Sequence, residues 1–311
     1  MPELPEVETV KRGLSKLIIH KKITSATSDN FKSFPNSPEE IEAFLLGARI
    51  ISVLRRAKVI IIDLDTNYSL VVHLKMTGQL VYRGEENWGA GHPNDSLIGD
   101  LPDKTTHAEL EFSDGSKLFF NDQRKFGWMK LLATPLVEEL PFFQKVGPEP
   151  LTEQFTTEVL TQRLCRRSKS RIKAALLDQT TVAGLGNIYV DESLFLSQIH
   201  PETLVGDLTS EQLERLTGNI KQVLQQSIDA GGSSSRNYVD ADGNRGNYLD
   251  GAYVYGRAGL PCRLCGTPIE KLKVAGRGTH ICPICQPAPS TTDQPIVKST
   301  STTPKTYRKR G

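Results

Sequence analysis

The sequence contains no run of about 18 apolar residues, so it offers no helix able to cross a bilayer. Its first six residues include acids where a secretory leader would carry an apolar core, which argues against export. No internal repeat is visible, which removes solenoids and propellers. Charge of one sign is not in excess: 38 Lys and Arg face 36 Asp and Glu, a net of +2. A polyanion partner must therefore be sought in local clusters rather than in the total. Three clusters exist, at Arg55-Arg56-Ala57-Lys58, at Arg166 to Lys173 and at Arg308-Lys309-Arg310, and each also suits a solvated face. Cysteine is scarce, with four of five between residues 262 and 285. The fifth, Cys165, is expected to be a partly buried, inert thiol.

What is present suits a soluble globular chain of about two domains: 311 residues, 38% hydrophobic and 24% charged. Residues 5–19 keep Val7, Val10, Leu14, Leu17 and Ile18 on one face, the pattern of an amphipathic helix. From Gly47 to Gly127 the chain reads as strands. Val59 to Ile62 and Leu70 to Leu74 are short apolar runs, and Glu109 to Phe120 folds back on the polar turn Ser113-Asp114-Gly115-Ser116. Residues 83–106, polar and rich in Gly, Asn and Pro, read as a surface loop open to disorder. Prolines at 135, 141, 148 and 150 mark a linker. Helices are expected near 153–165, 168–178, 187–198 and 209–230. Beyond residue 286 the chain is rich in Pro, Ser, Thr and Lys, and is read as a disordered basic tail.

Cys262-x2-Cys265 and Cys282-x2-Cys285, separated by 16 residues, have the spacing of a four-thiolate zinc site. The alternative is two disulfides, which a chain without a secretion signal disfavours. Four thiolates leave no open coordination position, so one Zn2+ here is structural. It stabilises a segment too short to hold a core.

The opening Met1-Pro2-Glu3-Leu4-Pro5-Glu6 carries a different chemistry. Removal of Met1 leaves Pro2 with a free secondary amine. An α-amino group has a pKa of about 7.7–8.0, so part of it is neutral near pH 7. Such an amine can attack an electron-poor carbon and form an iminium. Glu3 and Glu6 lie beside it as proton carriers. The same residues also suit the first turn of an ordinary helix.

Two segments could hold phosphate. Val274 to Thr279 sets Arg277 between glycines, a turn that would point the guanidinium outward. Gly184-Leu185-Gly186-Asn187 permits close backbone approach, with Asn187 able to cap the following helix, and no Gly-Lys-Ser/Thr follows to make a P-loop. Met76 follows a strand, and Arg124 and Phe126 sit in Asn121 to Gly127. Met and Phe can fill or pry open a base stack, and Arg can bond an orphaned base. Met76 or Phe126 alone is better read as core packing; they matter only as members of one surface set.

Together these pieces resemble the formamidopyrimidine-DNA glycosylase family. The resemblance rests on Pro2 to Val10, Arg124-Lys125-Phe126-Gly127, Gly184 to Asp191, Val254-Tyr255-Gly256-Arg257 and the terminal cysteines, and covers roughly residues 1–286. It implies an α+β fold: an N-terminal β-sandwich with a leading helix (1–134), a linker (135–150), a helix-two-turn-helix domain with a lesion-recognition loop (151–250), a zinc-finger β-hairpin (251–286) and the tail (287–311). It implies removal of oxidised purines (8-oxoguanine, formamidopyrimidines) from double-stranded DNA by a monomer in the cytoplasm, at the nucleoid. A Pro2 Schiff base would then cleave the strand by β,δ-elimination. Glu3 would move protons on the sugar, Glu6 would shape the pocket and Lys58 would contact a phosphate. Met76, Arg124 and Phe126 would hold the vacated stack. Asn187 and Arg277 would grip phosphates, and a loop with Arg236, Asn237 and Tyr248 would read the base.

The chain departs from that pattern at Lys125, where arginine is usual, and at Lys75, where glycine is common. The 83–106 segment is long and obscures the position of a family histidine, for which His107 is a weak candidate. Two other readings stay open: a zinc-dependent DNA-binding protein without chemistry, and the related endonuclease VIII group, which prefers oxidised pyrimidines.

Overall fold

The computed structural model describes residues 2–92, 94–233 and 247–289. The chain opens on α1 (Leu4–Leu17). Val7, Val10 and Leu14 on that helix are fully buried, as is Ile18 at its cap. Nine strands follow: β1 (Ile23–Ser28), β2 (Ile50–Arg56), β3 (Val59–Leu64), β4 (Tyr68–His73), β5 (Gly78–Arg83), β6 (Asn87–Gly91), β7 (Thr106–Phe112), β8 (Lys117–Asp122) and β9 (Trp128–Ala133). They form a five-stranded sheet in the order β1-β7-β8-β5-β6 and a four-stranded sheet in the order β2-β3-β4-β9, all paired antiparallel. A short α2 (Pro38–Phe44), capped by Ser37, bridges β1 and β2.

The two sheets face each other. Ile60, Ile62, Leu70 and Val72 of one meet Leu80, Leu110, Phe112, Leu118 and Phe120 of the other in one core, which α1 joins through Val7, Val10 and Leu14. Period-2 alternation explains the inner faces. It does not explain why Val59 to Ile62 is apolar throughout. Ile61 and Val71 point outward, where Val137, Phe143 and Val146 cover them. The proline-marked linker is thus a packed cover, containing α3 (Pro141–Lys145), and not an open tether.

The 83–106 segment is the larger correction. It is not a loose loop: Asn87 to Gly91 adds a strand to the sheet edge, and Leu97 packs on the outward-facing Val81 and Phe119. Trp88, only 3% exposed, lies in the sandwich core. The polar composition hid two apolar anchors, Trp88 and Leu97. Cys165, expected to be partly buried, is exposed at the end of its helix.

The second half is helical: α4 (Thr157–Cys165), α5 (Ile172–Leu177), α6 (Asn187–Leu196), α7 (Ser210–Asp229) and α8 (Tyr248–Gly251). Two expected helices begin late for local reasons. Thr156 caps α4 through its side chain, and Arg171 is held extended in a bridge to Leu204. The chain then forms a β-hairpin, β10 (Glu270–Val274) and β11 (Arg277–Ile281). Arg236 and Asn237 lie outside the described residues, as does the tail from residue 290.

Gly13 of α1 lies against Trp88; a Cβ there would fall 2.3 Å from the indole. Gly13→Ala is therefore expected to destabilise the fold by roughly 1–3 kcal/mol, the usual cost of overpacking. Thermal melting of the variant checks this, and an unchanged transition would show that Trp88 does not anchor the segment.

Candidate active site and nucleic-acid interface

Helix α1 belongs to two cores at once. Val7 to Leu14 serve the sandwich, while Leu4 is buried among the helices with Leu185 and Tyr189. The amino terminus is thus held at the seam between the two halves. Leu4 N–H donates to the Gly184 carbonyl at 3.0 Å. Gly184, at φ +78°, takes a left-handed turn open to glycine. Gly186 matters even more: a Cβ there would lie 2.1 Å from the Glu3 carboxylate carbon. The glycines expected to admit a phosphate in fact admit the first turn of α1.

Pro2 is buried in this seam. Glu3 is 5% exposed, and its Oε1 accepts the Ile188 N–H at 3.3 Å, at the start of α6. Its Oε2 has no partner among the described residues. Burial drives the Glu3 carboxyl up to about 7, against the pull of the Lys58 ammonium. Glu6 has a bracing role. Its Oε2 accepts the Glu3 N–H at 2.8 Å. Its Oε1 accepts the Tyr189 hydroxyl at 2.5 Å and the Ser233 N–H at 2.9 Å.

Lys58 sits at the β2–β3 turn, where Ala57 has φ +52°. Its Nζ donates to the Leu185 carbonyl at 2.8 Å. Burial lowers its pKa, and the nearby Glu3 and Glu6 charges oppose that. Arg277 is close enough to be felt as well. The rest of this basic cluster is not free for a ligand. Arg55 bonds Glu8 at 2.9 Å and Glu149 at 2.9 Å, and Arg56 bonds Glu149 at 3.0 Å. The second cluster divides similarly. Arg167 pairs with Asp178, while Arg163, Arg166 and Lys169 line an open basic groove with Lys145.

Met76, Arg124 and Phe126 come together on the sandwich rim. Asp122, fully buried, accepts the N–H groups of Arg124 (3.1 Å), Phe126 (2.8 Å) and Gly127 (2.6 Å). It also bonds the Thr77 hydroxyl, so one carboxylate locks the Met76 turn to the Arg124 turn. Phe126 is 54% and Met76 37% exposed, and the Arg124 guanidinium lies 4.8 Å from the Phe126 ring centre. The departures from the family pattern take left-handed positions: Lys75 at φ +50° and Lys125 at φ +56°. The Lys75 N–H donates to His73 Nδ1 at 3.0 Å. Burial, with Lys75 and Lys58 nearby, pushes the His73 imidazole down to about 3, so it stays a neutral acceptor.

Asn187 does not cap α6. It is the helix's first residue, and its amide donates to the Gly278 carbonyl of the hairpin at 2.9 Å. Arg277 begins β11; the turn itself is Ala275-Gly276. The hairpin is docked by residues for which no role was expected. Lys173 Nζ, fully buried, meets Asp191 at 2.6 Å, the Thr279 hydroxyl at 2.8 Å and the Gly278 carbonyl at 3.2 Å. Glu192 accepts the N–H groups of Tyr253, Val254 and Tyr255 at 2.8–2.9 Å. Tyr248, expected to read a base, is instead a core residue 8% exposed, its ring 5.6 Å from that of Tyr189. His107 is 1% exposed, its ring bonded to Asp29 and to the Asp122 carbonyl.

The four hairpin sulfurs lie within 4.8 Å of one another. Cys265 is 3.4 Å from Cys282 and 3.6 Å from Cys285, and Cys262 is 3.9 Å from Cys285. Zn–S bonds of about 2.3 Å in a tetrahedron separate sulfurs by about 3.8 Å, so the set fits the ion.

The chain matches three family models in succession. They are the formamidopyrimidine-DNA glycosylase N-terminal domain over residues 1–129, the H2TH domain of the same enzymes over 146–239, and the zinc finger found in FPG and IleRS over 259–288. The formamidopyrimidine-DNA glycosylase of Pediococcus pentosaceus is 42% identical over 287 residues, covering 92% of this chain and 99% of that one. That of Bacillus licheniformis is 44% identical over 289 residues, with 92% and 99% covered. The chain belongs to the formamidopyrimidine-DNA glycosylase family. Its fold superposes on a Lactococcus lactis FPG mutant in complex with a Fapy-dG containing DNA, with a TM-score of 0.81 and 38% identity over 92% of this chain and all of that one. MutM in complex with carbocyclic 8-oxo-G containing DNA gives 0.79 at the same identity and coverage. The family's sandwich, H2TH helices and hairpin are all present, and the four cysteines form its zinc finger, which holds one zinc ion.

The Glu3 shift has a stability consequence. Below about pH 4.5 the group is protonated in both folded and unfolded chains. Between about 4.5 and 7 the unfolded chain ionises while the folded one keeps its proton, so stability falls as pH rises, by at most about 3 kcal/mol, and then levels. Glu3→Gln removes this loss. The variant should gain stability relative to the parent between pH 5 and pH 8, read by thermal melting. A difference that does not change with pH would contradict the raised carboxyl.

Proposed function

We propose that this chain excises oxidised purines, 8-oxoguanine and formamidopyrimidines, from duplex DNA and then cuts the strand. Pro2 is the nucleophile of this reaction, and the protein acts as a monomer in the cytoplasm, at the nucleoid. The observation that carries the reading is the buried seam: an amino-terminal proline beside a carboxyl held half-protonated near neutral pH. Relatives crystallised with Fapy-dG and 8-oxo-G DNA support the substrate class.

The neutral Pro2 nitrogen attacks C1′ of the flipped nucleotide, and the glycosidic pair leaves with the base, which takes up a proton. Glu3, protonated below about pH 7, gives its proton to the ring oxygen through Oε2, which has no partner among the described residues. The sugar opens to an iminium on Pro2. Loss of a C2′ proton then expels the 3′ phosphate, and a second elimination expels the 5′ phosphate. Water finally hydrolyses the iminium and frees the amine. Lys58, within electrostatic reach of Glu3 and Arg277, is the phosphate contact and proton partner. Glu6 holds Glu3 and the loop at Ser233 in register. Met76, Arg124 and Phe126 fill the gap left by the base. Asn187 and Arg277, brought together by Lys173 and Asp191, take phosphates on the lesion strand.

Replacing Pro2 tests the assignment. Pro2→Gly keeps an amino terminus but makes it primary. Single-turnover cleavage of an 8-oxoguanine duplex should slow by about two orders of magnitude or more, with affinity largely kept. Parental kinetics in the variant would overturn the nucleophile.

A further inference from the structure

The turn after β1 carries an apolar side chain that the fold does not use. Phe31 is 74% exposed, the most exposed phenylalanine among the described residues. Isolated surface apolars need no explanation, but a rigidly presented ring beside a charged groove does. The turn is well fastened. Phe34 N–H and Ser33 N–H donate to the Asn30 carbonyl at 3.0 and 2.9 Å, Lys32 N–H donates to Asn30 Oδ1 at 3.0 Å, and Met129 N–H donates to the Ser33 carbonyl at 2.7 Å. It is also tied to the wedge. The buried His107 ring bonds Asp29 Oδ1 at 3.0 Å on one side and the Asp122 carbonyl at 2.9 Å on the other. Asp122 is the residue that holds the Arg124 and Phe126 backbone. Phe31 and Lys32 therefore share an open groove of about 640 Å³ with Arg124, Lys125 and Phe126. Of the ionisable side chains there, three are cationic, and the one acid, Asp29, is largely exposed while its Oδ1 bonds His107.

We propose that Phe31 is a second apolar plate of the DNA wedge, packing on the duplex next to the gap that Phe126 and Arg124 occupy, with Lys32 on the adjoining phosphate. The occupant follows from the groove: its charge suits a polyanion, its aromatic face suits a base or sugar, and it continues the rim assigned to DNA. The inference rests on that assignment. His107 is then a positioning residue, which couples the Phe31 turn to the Arg124 turn without touching DNA.

The test is binding of the full-length protein to a duplex containing an abasic-site analogue, for Phe31→Ala, Phe31→Trp and Arg124→Ala. Phe31→Ala should weaken affinity between about 5-fold and 100-fold, the range of one aromatic–base contact, with its thermal transition unchanged because the ring is exposed. Phe31→Trp should restore affinity, and the added indole should be quenched on binding. If Arg124→Ala loses affinity while Phe31→Ala does not, the second plate is overturned and the wedge reading stands. If neither loses affinity, the wedge reading falls and takes this inference with it.

Discussion

The structure depends on the insertion of one helical turn into a foreign core. Leu4 leaves the sandwich to be buried among the helices, and Gly184 and Gly186, lacking a Cβ, leave room for it and Glu3 to pass. That contact fixes the relation of the two halves at the point where the amino terminus lies. The long-range polar bonds converge there: Lys58 to the Leu185 carbonyl, Glu3 to the α6 amide and Glu6 to Tyr189 and Ser233. A secondary amine is an ordinary group. What makes this one distinctive is burial beside a carboxyl whose proton is exchangeable near neutrality.

Burying charge is expensive, and the chain does so repeatedly. Asp122, Asp191 and Glu192 are each answered by several donors, largely backbone amides, and each joins elements far apart in sequence. Asp122 couples the Met76 and Arg124 turns, Asp191 docks the hairpin on α6, and Glu192 holds the approach to the cysteines. Glu3 is answered by one long bond and an opposing ammonium, so desolvation wins and its pKa rises. Burial raises Glu192 as well, but its oxygens are filled by three backbone amides, whereas Glu3 keeps an oxygen without a partner among the described residues.

Much of the site was legible in the residues, because its chemistry is local. Pro2 with Glu3, the paired cysteines and the hairpin around Ser113-Asp114-Gly115-Ser116 are short patterns with direct physical meaning. The helices and strands of the two halves were also readable from periodicity. What could not be read depends on contacts across the chain. The 83–106 segment was polar on average, and nothing local said that Trp88 would meet Gly13. Asn187 suggested a cap, yet its partner lies 91 positions away. Tyr248 suggested a ligand face, yet its ring fills the helical core. Lys173 sat in a basic run that looked solvated, and only the fold brings Asp191 and Thr279 to it. Asp122 offered a weak signal, an acid placed before a tight Arg-Lys-Phe-Gly turn.

The central claim is that the amine of Pro2, and no lysine, joins the sugar. Borohydride reduction during turnover of an 8-oxoguanine duplex would freeze that bond, and peptide mapping of the conjugate by mass spectrometry would locate it. The deoxyribose remnant is expected on Pro2 of a chain lacking Met1. A remnant on Lys58, or full activity in protein that retains its methionine, would contradict it.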